Sequence, residues 1–187
     1  MIVRHWARFE TDLPDEAIEP EGVGDFIQFG GRPVAAALAE MLRARGCKVE
    51  PPEHGGEHGW YLDIRAPNGH RMWGQVTDME YYLLMLEDRA TGGPSRHPAY
   101  LGVLEGLHDD ISADPRFRNL RWFTQRELDD EGPEDAVGEA EPVTGEAVPV
   151  ASPPPVGTEP SARSANGGAD RKGFFGRLLA AFGLRPR

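Results

Sequence analysis

All four tryptophans and all four tyrosines of the chain lie within residues 1–129, whereas residues 130–169 hold no aromatic side chain and seven prolines, three of them consecutive at Pro153, Pro154 and Pro155. A stretch of that kind cannot bury enough apolar surface to offset the conformational entropy lost on ordering. The break predicts one globular domain over 1–129, a disordered acidic, proline-rich linker over 130–169, and a separate C-terminal segment over 170–187. As a flexible coil of about forty residues, the linker would have an r.m.s. reach of roughly 35 Å.

Charge follows the same division. The 187 residues carry 20 Lys and Arg against 31 Asp and Glu, a net charge of −11. Residues 1–129 hold 14 basic and 22 acidic side chains, 130–169 hold 1 and 8, and 170–187 hold 5 and 1. Overall acidity argues against nonspecific nucleic-acid binding, because phosphate contacts need a basic surface. A single cysteine, Cys47, excludes an internal disulfide and cysteine-rich zinc sites. The opening MIVRHWARFETD has no apolar signal-peptide core, and no run approaches the length of a bilayer span, so a cytoplasmic location is expected.

Within 1–129 the residue periods alternate. Met1–Glu10 reads as a first strand or an ordered arm, and Thr11–Gly24 as an acidic loop. Pro33 sits where a helix takes its first residue, Val34, Leu38, Met41 and Leu42 recur at helical spacing through Arg45, and Gly46 is a stop. A brief strand over Cys47–Glu50 and a loop over Pro51–Gly59 follow. Trp60, Leu62 and Ile64 alternate with Tyr61, Asp63 and Arg65, and Asn68-Gly69 then signals a tight hairpin turn into a strand over Arg71–Thr77. A two-residue turn would put Trp73 opposite Ile64, on the apolar face; a bulged turn would put it on the other. Tyr81–Leu86 reads as a further strand, Pro98–Ile111 as a second helix weakened by Gly102 and Gly106, and Leu120–Thr124 as a last strand. The order predicts an α+β fold: a two-layer sandwich with an antiparallel or mixed sheet of about four to five strands and two helices on one face.

The search for chemistry yields only candidates. His54 and His58, in EHGGEHGW, have the H-x-x-x-H spacing that on a helix would turn two imidazoles to one metal. Gly55, Gly56 and Gly59 oppose a helix there, so a solvated loop is the expectation. His70 falls at the hairpin tip, His97 in a loop and His108 on a helix, with no spacing that assembles them. Asp109, Asp110 and Asp114 read as a solvated helix face, and Cys47 as a small buried residue opening a strand. Ser95 and Ser112 lack a nucleophile-elbow context, and GVG at 22–24 is a fragment of a dinucleotide loop. No catalytic residue and no cofactor are assigned. The four tryptophans read as core, although one or two exposed Trp or Tyr side chains would be good binding anchors.

The last segment is the one that points to a partner. On a helix, Phe174, Phe175, Leu178, Leu179 and Phe182 fall on one stripe, with Arg171, Lys172, Arg177 and Arg185 around it. A cationic helix with Phe and Leu on one side suits the headgroup boundary of an anionic bilayer; the alternatives are a groove on another protein and the chain's own domain. Over about fourteen residues the segment resembles the C-terminal membrane-targeting helices of bacterial division and positioning ATPases of the MinD and FtsA kind. That resemblance implies membrane targeting. It implies no ATPase activity, since the phosphate loop G-x-x-x-x-G-K-[ST] is missing.

Three functions from different classes follow. The first is an adaptor or regulatory domain that binds an unknown protein partner while the C-terminal helix holds it at the inner membrane face. The second is a soluble acidic immunity-like or inhibitor-like protein that covers a basic partner. The third is a small enzyme using His54, His58 and nearby acids.

Overall fold

Strand propensity and helix caps place most of the elements where the residue periods predict them. The computed structural model of the chain describes residues 1–18, 28–132 and 135–145. By internal contacts the chain divides into Met1–Val148 and Pro149–Arg187, and every described residue belongs to the first unit. In chain order the elements are β1 (Ile2–Val3), β2 (Trp6–Thr11), α1 (Arg32–Ala44), β3 (Lys48–Val49), β4 (Glu53–His54), β5 (Trp60–Arg65), β6 (Arg71–Asp78), β7 (Tyr82–Asp88), α2 (Pro98–Ala113), β8 (Phe117–Phe123), α3 (Gln125–Glu131) and β9 (Val143–Thr144).

The main sheet runs β3-β5-β6-β7-β2-β8, with β4 also paired to β5, and its pairings are antiparallel. The fold is α+β, as expected. Its strand count exceeds four to five because β3 and β4 are two-residue strands, and because β1 pairs with β9 in a second, two-stranded sheet.

Helices α1 and α2 cover one face. Val34, Leu38 and Leu42 of α1 and Tyr100, Leu104, Leu107 and Ile111 of α2 join Ala7, Phe9, Leu62, Ile64, Met72, Val76, Leu84 and Leu86 of the sheet in one buried cluster. Burying a side chain of this size fully contributes roughly 1.5–3 kcal/mol. Helix α1 ends where Gly46 allows it: with Gly46 at φ 83, its N–H donates to the Arg43 carbonyl (2.9 Å) and the Cys47 N–H to the Leu42 carbonyl (3.0 Å). This paired closure satisfies two of the last carbonyls. Gly106 has a packing reason. The Arg45 side chain lies where a Cβ on Gly106 would sit, its Nη1 at 2.7 Å, on the way to Asp110, which it meets at 2.5 and 2.9 Å.

The β5–β6 hairpin corrects the register expected from a two-residue turn. Ile64 pairs with Met72 and Asp63 with Trp73, so Trp73 leaves the Trp60, Leu62 and Ile64 face. The loop has three residues, Pro67-Asn68-Gly69, closed by Gly69 N–H to Ala66 C=O (2.8 Å) and Ala66 N–H to His70 C=O (2.9 Å), with Gly69 at φ 87. A two-residue turn at Asn68-Gly69 would make Pro67 the last paired residue, where an N–H is required that proline lacks.

The expected boundary at residue 129 is also corrected. Helix α3 carries the chain to Glu131, and residues 135–145 return along the domain. Trp122 bridges to Glu139, β9 pairs with β1, and Ala136 is buried. Arg4, 5% exposed, fastens this return: its backbone N–H donates to the Pro142 carbonyl (2.7 Å), its guanidinium donates to Thr144 Oγ1 (2.8 Å), and it lies 3.6 Å from Glu127 and 3.8 Å from Glu139. Low aromatic content did not prevent ordering, because these residues pair their backbone with the finished domain and bury Ala136 and Pro142 against it.

Candidate functional site

The sheet face turned away from α1 and α2 carries two partly exposed aromatic side chains, Tyr61 and Trp73. Strand alternation and register bring Tyr61, Trp73, Gln75, Met85 and Trp6 to this face. At the end near α3, Trp6, Leu83, Met85 and Phe123 are buried. There Trp6 Nε1 donates to Gln125 Oε1 (3.0 Å), an Arg8 nitrogen donates to the Ala136 carbonyl (3.2 Å), and the Phe123 ring lies beside Gly138.

Further along, Tyr61 and Trp73 are partly exposed and meet edge to face at 5.6 Å. Trp73 Nε1 donates to Glu87 Oε2 (2.9 Å), and the Arg89 guanidinium stands 5.8 Å from the Trp73 ring. The indole is held by edge, face and N–H, which fixes its rotamer while part of its surface stays in water. Between this group and the buried end sits Gln75, 2% exposed; its Nε2 donates to Thr77 Oγ1 and its Oε1 has no partner among the described residues.

A bulge shapes the other border of this face. Arg8 pairs with Arg121 and Glu10 with Arg118, so Phe9 alone opposes Asn119 and Leu120, and Asn119 takes φ 56. The cleft beside it, about 490 Å³, is lined by Arg8, Glu10, Glu80, Tyr81, Asn119 and Arg121. Arginines directly opposite on paired strands repel. Arg8 offsets this by lying between the Tyr81 ring (5.5 Å) and the Phe123 ring (5.3 Å).

The residues nominated from sequence fall as follows. Arg171, Lys172, Phe174, Phe175, Arg177, Leu178, Leu179, Phe182 and Arg185 lie outside the described residues, as do residues 146–169 of the expected linker. His54 is on β4, its Nε2 accepting from the Phe29 N–H (3.2 Å) and its ring 5.1 Å from Trp60. His58 ends a single 3₁₀ turn over Gly56–His58. No group of three His, Cys, Asp or Glu disposed for a metal occurs among the described residues. Asp109 and Asp110 pair with Arg45, and Asp114 with Arg116 (2.6 Å). Cys47 is buried, which pushes its thiol up, against a smaller opposing effect of Arg45.

One constellation was not legible from spacing. The hairpin tip and the loop before α2 bring His70 and His97 into a parallel stack, centroids 4.0 Å apart at 7°. His70 Nε2 lies 2.9 Å from Asp88 Oδ2, a close but poorly aligned contact, and His97 Nδ1 accepts from the Ala99 N–H at the start of α2. Burial works to raise the Asp88 carboxyl, but the Ala90 N–H, Ser95 hydroxyl and His70 together hold it below its ordinary range. Since Asp88 is 1% exposed, accepts from the Ala90 N–H and the Ser95 hydroxyl and lies against His70, the arrangement knots the β7–α2 loop to the hairpin tip.

No protein-family model, no curated protein and no solved structure shows significant similarity to this chain.

Proposed function

We propose that this chain is a non-enzymatic adaptor or regulator, whose domain takes a partner protein on the helix-free sheet face and whose segment 170–187 tethers it to an anionic membrane surface. The observation that carries the domain half is the Tyr61, Trp73 and Arg89 group. Rigidly held, partly exposed aromatics beside an arginine are the residue types that dominate protein interfaces, because they bring large area at little conformational cost. The tether half rests on the Phe and Leu stripe between Arg171 and Arg185 and on its net positive charge within an acidic chain. No helix among the described residues is long and apolar enough to cross a membrane.

Flotation with vesicles rich in anionic lipid tests the tether. The full chain is expected to rise with the vesicles at low salt and to be released by high salt, while Phe174→Glu with Leu178→Glu stays below. If full chain and variant both remain in the soluble fraction, the membrane reading is wrong and a protein groove becomes the receiver of this segment.

A further inference from the structure

At the start of α1 two carboxyl groups share one small space. A methyl group built on Gly30 would overlap Asp15 Oδ1 and Asp78 Oδ2 at once, so these two oxygens are neighbours of each other. Asp15 comes from residues 12–18, which follow β2 and bridge at Ile18 to Gln28; Asp78 closes β6. Two ionised carboxylates so placed repel, and since Asp15 is exposed and Asp78 half-buried, Asp78 is the one that also loses hydration.

Among the described residues, the groups around the pair do not supply a counter-charge. Arg32, on α1, is engaged by Glu16 at 2.7 Å, and His54 from β4 uses its Nε2 to accept the Phe29 N–H. From β7, Tyr82 brings a phenol rather than a cation: it pairs directly with Asp78 across the hairpin and is 8% exposed, and its hydroxyl has no hydrogen-bond partner among the described residues. Both carboxylates raise its pKa in addition to burial, which places the hydroxyl within their field. A metal is the other way to neutralise such a pair. Among the described residues no third His, Cys, Asp or Glu joins it, far short of the roughly six to eight oxygens that calcium takes.

We propose that Asp15 and Asp78 form a proton-sharing carboxyl pair, a clasp that holds residues 12–18 to the end of β6, beside Gly30, while the proton is present and slackens when it leaves. Asp15 is the acceptor side of the pair: its Oδ1 already accepts the Ala17 N–H at 3.0 Å. Asp78 carries the proton and turns it toward Asp15, and the Tyr82 hydroxyl is the donor in reserve. The electrostatics agree: burial first, and Asp15 second, push the Asp78 carboxyl up to about 6. A folded-state value above the ordinary one gives stability that is present below the carboxylate range and lost as pH rises through about 6.

The test compares melting of the full chain with Asp78→Asn between about pH 5 and about pH 8. Asparagine keeps a donor and cannot ionise. The wild type is expected to lose several degrees relative to the variant across that range, the two being alike at the acid end. Should Asp78→Asn fail to fold, carboxyl carbon NMR of the wild type reads the same event, with one Asp titrating near neutrality rather than in the ordinary range. Equal pH slopes in both proteins, or no such Asp signal, overturn the clasp. So does a large rise in melting temperature on adding millimolar calcium or magnesium at neutral pH, which would make the pair a cation site.

Discussion

His5 shows how burial alone sets the behaviour of one side chain. It is 3% exposed, its Nδ1 has no hydrogen-bond partner among the described residues, and burial drives its imidazole from the usual 6.5 down to about 4. The folded chain holds this ring neutral while the unfolded chain binds a proton, so its stabilising contribution is complete above 6.5 and is lost as pH falls toward about 4. At most roughly 3 kcal/mol is at stake over that interval. Chemical denaturation at neutral and mildly acidic pH is expected to show the wild type weakening with acid more than His5→Gln by a large part of that amount. Identical acid sensitivity would show that His5 is solvated in the folded chain. The clasp at Asp78 acts with the opposite sign in an overlapping window, so each effect is read as a difference between wild type and variant.

At the level of elements, α3 is the piece whose signal was present and went unused. Thr124 and Glu127 form a capping box: Thr124 Oγ1 accepts the Glu127 N–H (3.2 Å), and Glu127 Oε2 accepts the Thr124 N–H (2.6 Å). The pattern Thr-x-x-Glu is readable in a bare sequence. It was masked by the lack of an apolar period in QRELDDE, where Leu128 alone is buried. Seven residues make a poor helix in isolation, so the cap matters more than it would in a long one. Thr124→Ala is expected to cost about 1 kcal/mol in denaturant unfolding, with Thr124→Ser close to wild type. A neutral Thr124→Ala would mean that α3 is held by its packing on β8 without the cap. The β5–β6 hairpin is the converse case: Asn68-Gly69 is the visible turn signal, yet Pro67, by lacking an N–H, selects the three-residue loop and moves Trp73 to the face away from α1 and α2.

For the molecule as a whole, the consequential finding is that the domain continues to at least Gly145. A chain ending at residue 129 loses the β1–β9 pairing, the bridge from Trp122 to Glu139, and the Pro142, Thr144 and Glu139 partners of Arg4. Among the described residues, only Glu127 would remain of the partners of Arg4, and the strand pairing and bridge that tie residues 135–145 to the domain would be lost. Calorimetry is expected to show 1–148 melting like the full chain, and 1–129 melting many degrees lower or without a cooperative transition. Equal melting of the two fragments would show that residues 135–145 are only laid on the surface.

What the residue order settled is whatever depends on near neighbours. The strand over Trp60–Arg65, the helix opened by Pro33 and closed by Gly46, the second helix after Pro98 and the α+β class all follow from periods of two and 3.6 and from local caps. Tertiary structure decided what depends on residues far apart in the chain. Arg4 meets Thr144 and Glu139, His70 meets His97, and Asp15 meets Asp78, in each case because the sheet order brings distant segments to one place. No period or motif encodes such meetings, since burial, repulsion and stacking act through space and are indifferent to separation along the backbone.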